Sequence, residues 1–160
     1  MTKGKATLSW AVLTGFVAAA FVAGAIGSWA TFPAVRVWFP LLVKPSWNPP
    51  GWLFGPVWTT LYVLMGVALW RAWRTRAPAV PALVRGYFVS LAFNALWSVL
   101  FFGLKQPAWA LAEIILLWGL LVWLQAGLWR TDRLAAALWL PYVLWVSFAT
   151  ALNAAIVRLN

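Results

Sequence analysis

Five long apolar stretches, at roughly 8–29, 52–72, 84–104, 107–129 and 134–157, leave this chain few ways to fold. Rising about 1.5 Å per residue, a helix of each length crosses ~30 Å of hydrocarbon. None alternates like a barrel strand, and a bilayer tolerates only helices or closed barrels, because lipid offers no partner for backbone polar groups. With 65% hydrophobic and 9% charged residues, the chain lacks the polar surface of a water-soluble domain. The expectation is an all-α integral membrane protein, a five-transmembrane-helix bundle made by residues 1–160 as a single domain. Very short late connectors make the last three spans antiparallel neighbours. Lys3 and Lys5 ahead of span 1, with Ala23 and Ala25 near its end, admit a cleavable signal as an alternative. The apolar run there is longer than the ~7–15 residues of a signal core.

Charge is sparse and placed at span ends. The formal charge is +10, yet the basic residues lie in connectors and build no basic helix or tail, so no nucleic-acid footprint is expected. An inside N-terminus puts Lys3, Lys5, Arg71, Arg74, Arg76, Arg85, Arg130 and Arg133 on the cytoplasmic side. Arg36, Lys44, Lys105 and Arg158 then lie opposite, an asymmetry that favours N-in and C-out. Those four either snorkel or meet the acidic groups of a ligand. Cysteine and histidine are absent, and Glu113 and Asp132 are the only acids. Thiolate and histidine metal sites, cysteine nucleophiles and carboxylate pairs are thereby excluded; no metal and no cofactor is expected.

The segment from Lys44 to Tyr62, KPSWNPPGWLFGPVWTTLY, enters span 2 through prolines and tryptophans. Prolines preset φ and lower the entropy cost of one loop shape. Trp47, Trp52 and Trp58 add broad apolar faces, each with a single N–H donor. Loop 30–51 therefore reads as a lid over a cavity for a flat, greasy ligand; an interfacial aromatic belt is the alternative for Trp47 and Trp52.

Inside the spans, polar and aromatic residues fall in stripes. Trp58, Tyr62 and Met65 share one face of span 2, as core packing or as a ligand wall. Asn94, mid-span 3, must find a partner within the protein, either as interhelical glue or as a hydrogen bond to a ligand. In span 5, Pro141 should loosen the helix where Tyr142 and Trp145 project, Ala149 leaves space one turn on, and Asn153 ends the stripe. Glu113 is costly in a bilayer unless paired, with a basic loop residue or a neighbouring helix end as the structural options. Ala19, Ala23 and Gly27 give span 1 a flat face for close helix contact.

Four stretches together, KPSWNPPGWLFGPVW from Lys44, LAFNALW from Leu91, FFGLKQPAWAL from Phe101 and LPYVLW…LN from Leu140 to Asn153, resemble the tryptophan-rich sensory protein family. This is the TspO, translocator protein or peripheral benzodiazepine receptor family. The likeness covers about 43–153. It implies a five-helix membrane protein, commonly a homodimer, whose pocket under the first loop takes porphyrins such as protoporphyrin IX, isoquinoline-carboxamide drugs and, in some members, sterols or other lipids. It places Trp58, Asn94, Trp145 and Ala149 in the pocket and Trp47 and Pro49 in the lid. Tyr62 and Trp97, in the same motifs, complete the ligand-binding candidates. The tyrosine of the animal sterol motif is missing from LNAAIVR at 152–158, and Asn48 stands where animal members often carry histidine, as suits a bacterial member. Three functions follow as expectations: a tetrapyrrole receptor; an enzyme that degrades protoporphyrin with light and oxygen, with Trp58 and Trp145 as oxidative candidates; or a tetrapyrrole or sterol transporter.

Overall fold

The computed structural model describes residues 3–160, with side chains from residue 9 onward. Lys3 and Lys5 contribute side chains only to the sequence expectations, since theirs lie outside the described residues. Five helices are long and apolar enough to cross a membrane. They are α1 (Lys3–Val37), α2 (Phe54–Thr75), α3 (Val80–Ser98), α4 (Pro107–Thr131) and α5 (Arg133–Leu159). No strand occurs among the described residues.

The helix ends follow from proline and turn chemistry. Pro81 and Pro107 occupy first turns, where a missing N–H costs nothing. Arg76 closes α2 with a left-handed φ of 58°, its N–H returning to the Trp73 carbonyl at 3.3 Å. Asp132 alone connects α4 to α5 and caps α5 by accepting from the Ala135 N–H at 2.9 Å.

Two expectations about connectors need correction. Helix α1 continues to Val37 through Pro33, so the long loop is 38–53 rather than 30–51. Proline removes one helical hydrogen bond, and α1 runs through Pro33 without a break. The connector expected at 73–85 shrinks to 76–79, because helix persists to Thr75 and restarts at Val80. Pro141 likewise leaves α5 unbroken.

Packing runs α1–α2–α5–α4–α3 and back to α1, a closed ring of neighbours. Helices α3, α4 and α5 are sequential antiparallel neighbours within it, as the short connectors require. Close approach of α1 and α2 relies on glycine at two places. A Cβ at Gly66 would stand 2.9 Å from the Val17 backbone, and one at Gly24 would run into the Tyr62 ring. Without a hydrophobic force between helices in lipid, such close contact supplies the attraction. Of the small-residue face expected on α1, Ala23 is buried, and Gly27 sits where a Cβ would meet Ser98 Oγ at 2.9 Å.

Candidate functional site: a tryptophan-walled cavity

One end of the ring is filled and the other is hollow. The hollow end holds a cavity of about 640 Å³, bounded by the second half of α1, the start of α2, the end of α3 and the C-terminal half of α5. That volume lies within the roughly 300–1,000 Å³ of small-molecule sites.

Six of the eight ligand-binding candidates line this space, Trp58, Tyr62, Asn94, Trp97, Trp145 and Ala149, and Gly27, Arg36 and Asn153 join them. Helical spacing explains the grouping, because Trp58 and Tyr62 stand one turn apart on α2, as do Trp145 and Ala149 on α5. Met65, on the same α2 stripe, is fully buried and belongs to the core instead. Trp47 and Pro49 do not line the cavity. Trp47 is 47% exposed and meets Phe148 edge-on, with ring centroids 5.7 Å apart. The Pro49 carbonyl accepts from Asn48 Nδ2 at 3.0 Å. From the loop side, Phe39 and Gly51 reach the cavity in their place.

The walls are braced aromatics. Trp145 packs edge-on against Phe54 at 5.8 Å and tilted against Phe148 at 5.6 Å. Trp58 lies 5.4 Å from Tyr62 and 6.2 Å from Tyr142. Such offset and edge contacts each add about 0.5–1.5 kcal/mol beyond burial, which resists collapse of the rings into the space.

Polar groups in the walls are tied to the scaffold. Buried Asn94 donates from Nδ2 to the Tyr142 hydroxyl at 3.3 Å, joining α3 to α5. Trp97 Nε1 donates to Asn153 Oδ1 at 3.1 Å, while Asn153 Nδ2 donates to the Pro107 carbonyl at 2.9 Å. Asn94 is therefore interhelical glue and a cavity wall at once.

The covering segment is held firmly. Lys44 Nζ donates to the carbonyls of Phe39 at 2.8 Å and Leu42 at 2.7 Å, so its charge is spent on the turn. Asn160 clamps Val43 from α5 with hydrogen bonds of 3.0 Å to both its N–H and its carbonyl.

Much of the lining lay outside the sequence reading. Gly24, Ser28, Thr31 and Val35 run along α1 at spacings of four, three and four, a helical stripe whose upper half was taken for loop. Phe101 and Phe102 come from a π-helical turn at Val99–Gly103 that extends α3. Glu113 lies buried away from the cavity lining, and neither carboxylate oxygen has a partner. The basic-loop or helix-end partner expected for it is not there.

Among the described residues, no cluster of acidic, histidine or cysteine side chains could hold a metal. The chemistry on offer is stacking, shape, a few hydrogen bonds and one guanidinium, that of Arg36.

Residues 16–159 match the model of the TspO/MBR family. The chain belongs to this family. A tryptophan-rich protein TspO from Chlorobaculum tepidum is 40% identical over 141 residues, 86% of this chain and 88% of that one. The tryptophan-rich sensory protein of Cereibacter sphaeroides is 36% identical, covering 96% and 94%. The human translocator protein is 35% identical, covering 94% and 91%. TspO/MBR membership, with five membrane-crossing helices, makes the chain an integral multi-pass membrane protein and supports a receptor or sensor role.

Proposed function

We propose that this protein is a membrane receptor that takes a flat lipophilic tetrapyrrole, with protoporphyrin IX as the type ligand, into the cavity beneath residues 38–53. The observation that carries the reading is the cavity of about 640 Å³ walled by Trp58, Trp97 and Trp145, with Asn94 at its side. A macrocycle gains most from broad indole faces, and a site of this kind needs only a few polar groups to fix orientation. The positive-inside rule supports a cavity facing away from the cytoplasm, because Arg71, Arg74, Arg76, Arg85, Arg130 and Arg133 all belong to the other end.

The test is titration of purified protein with protoporphyrin IX, read by quenching of tryptophan emission. Saturable quenching is expected, weakened about tenfold or more in Trp58→Ala and Asn94→Ala while helicity is kept. Quenching that rises linearly with pigment, equally in all three proteins, would refute a defined site.

Photo-oxidative degradation of the bound pigment is a second reading, favoured by the placement of Trp58 and Trp145 in the cavity wall. The pigment supplies the reactive chemistry, and the protein holds it against oxidisable indoles. Illumination with and without oxygen, in wild type, Trp58→Phe and Trp145→Phe, separates the two readings. Equal pigment loss in all three would leave receptor function alone.

A further inference from the structure

We propose that Arg36 makes the cavity selective for guests bearing a carboxylate, by pairing its guanidinium with that acid. The inference rests on the receptor reading above and names the part of the guest that reading leaves open.

Among the described residues, Arg36 is the one charged side chain that lines the cavity. It sits in the last turn of α1, one turn beyond Phe32, and its guanidinium carbon lies 4.1 Å from the centre of that ring. The ring restrains a long side chain that would otherwise lose its rotamer freedom only on binding. A planar fork of N–H donors matches a carboxylate in two parallel hydrogen bonds, which a point charge such as lysine cannot reproduce.

The protein offers Arg36 no acid of its own. The chain has two acidic residues. Asp132 is engaged by Arg71 at 2.9 Å, at the opposite end of the bundle. Glu113 is buried without a partner, apart from the cavity lining.

The other three cations at this end do not compete. Lys44 is saturated by backbone carbonyls, and neither Lys105 nor Arg158 lines the cavity. A cation in the last turn of α1 also suits the helix dipole, but the dipole has no preference for the cavity side. The resulting site is amphipathic, with indoles for a flat apolar body and a single guanidinium for its acidic edge.

Protoporphyrin IX and its dimethyl ester share one macrocycle and differ at the two propionates, free acids in one and methyl esters in the other, so the change in their affinity ratio across Arg36 variants isolates this contact. Both are titrated into detergent-solubilised wild type, Arg36→Gln, Arg36→Lys and Arg158→Gln, each corrected for partition into empty micelles. Wild type and Arg158→Gln should bind the diacid about tenfold to a hundredfold more tightly than the ester. Arg36→Gln should bind the two alike, with ester affinity as in wild type, which also shows that its cavity is intact. Arg36→Lys should keep part of the preference. Molar salt should narrow the wild-type preference, since the guanidinium is exposed. Equal affinity for diacid and ester in wild type, or an undiminished preference in Arg36→Gln, would overturn the role of Arg36 and leave the receptor reading standing. If neither pigment binds saturably, both fall together.

Discussion

Where Arg71 of α2 meets Asp132 between α4 and α5, Leu69, Leu124, Leu128, Ala135 and Trp139 have no exposed surface at all. At the far end α1, α2, α3 and α5 stand around open space. The difference lies in what faces inward. The filled end interlocks leucines, alanines and one tryptophan, whose N–H reaches the Leu121 carbonyl at 3.3 Å. The hollow end sets Gly24, Ser28 and Thr31 of α1 against braced indoles on α2, α3 and α5. Small side chains leave volume, and rings locked edge-on to their neighbours cannot fall in to fill it. A hollow of this kind depends on a firm foundation elsewhere in the bundle.

The sharpest way to break this contrast is to truncate one tryptophan at each end. Trp139→Ala should cost about 3–5 kcal/mol, the range for emptying a fully packed aromatic site. Trp58→Ala should cost less than half of that, because one of its faces already borders the cavity. Denaturant unfolding of both variants in one detergent, followed by circular dichroism, compares them directly. Equal losses would mean that the two ends are packed alike.

Next in size is the effect of filling the hollow. Ala149→Phe places a ring in space that wild type leaves open, and should weaken protoporphyrin IX binding about a hundredfold, or ~2.7 kcal/mol. The thermal midpoint should stay within about 2 °C of wild type, since no packed neighbour has to move. Unchanged binding would move the guest away from this wall.

How much of this was legible beforehand depends on distance along the chain. The five spans were plain, because the membrane requires long apolar helices and permits little else. Trp58 with Tyr62, and Trp145 with Ala149, could be paired by spacing alone. Depth could not: Met65 shares the stripe of Trp58 and Tyr62 but sits in the core, because α2 passes from the hollow end into the filled one. The α1 lining from Thr31 to Arg36 was hidden behind Pro33, a residue that commonly ends a helix but lies inside α1 here. Phe101 and Phe102 depend on a π-turn that no hydrophobic period announces. Trp47 and Pro49 carried the strongest motif, yet they brace the cover from outside the lining.

A smaller effect should come from the clasp at the filled end. Asp132→Ala removes a helix cap and an ion pair, which together are worth about 1–2 kcal/mol. Burial pushes this carboxyl upward, but the Ala135 N–H and Arg71 outweigh it and hold it below its ordinary value. A depressed folded value means that the stabilisation is present above the unfolded pKa, near about 4, and lost as pH falls through the folded one. Melting curves across that range should therefore separate wild type from Asp132→Asn at neutral pH and converge in acid. A constant gap down to the lowest pH would show that the charge contributes nothing. Protoporphyrin binding should not change in either variant, because the clasp lies at the end away from the cavity.

The smallest expected effect concerns Glu113, and it runs in the opposite direction. This side chain is 6% exposed, between buried Ala110 and Ile114 on α4, near the hollow end. Both oxygens lack a partner, so the protein bears the full cost of keeping a polar group out of water. At the filled end the one acid, Asp132, caps α5 and pairs with Arg71, and the unpartnered buried atoms there, Arg71 Nε and Gln125 Oε1, belong to side chains that bond through their other polar atoms. Glu113→Leu keeps the volume roughly constant and removes the unmet hydrogen bonds, so it should stabilise by about 1 kcal/mol. Glu113→Gln should come out near wild type, since an amide in the same place also lacks partners. Loss of stability in Glu113→Leu would mean that the carboxyl holds something in place at the hollow end, and the two ends would then differ in hidden polar bonding as well as in packing.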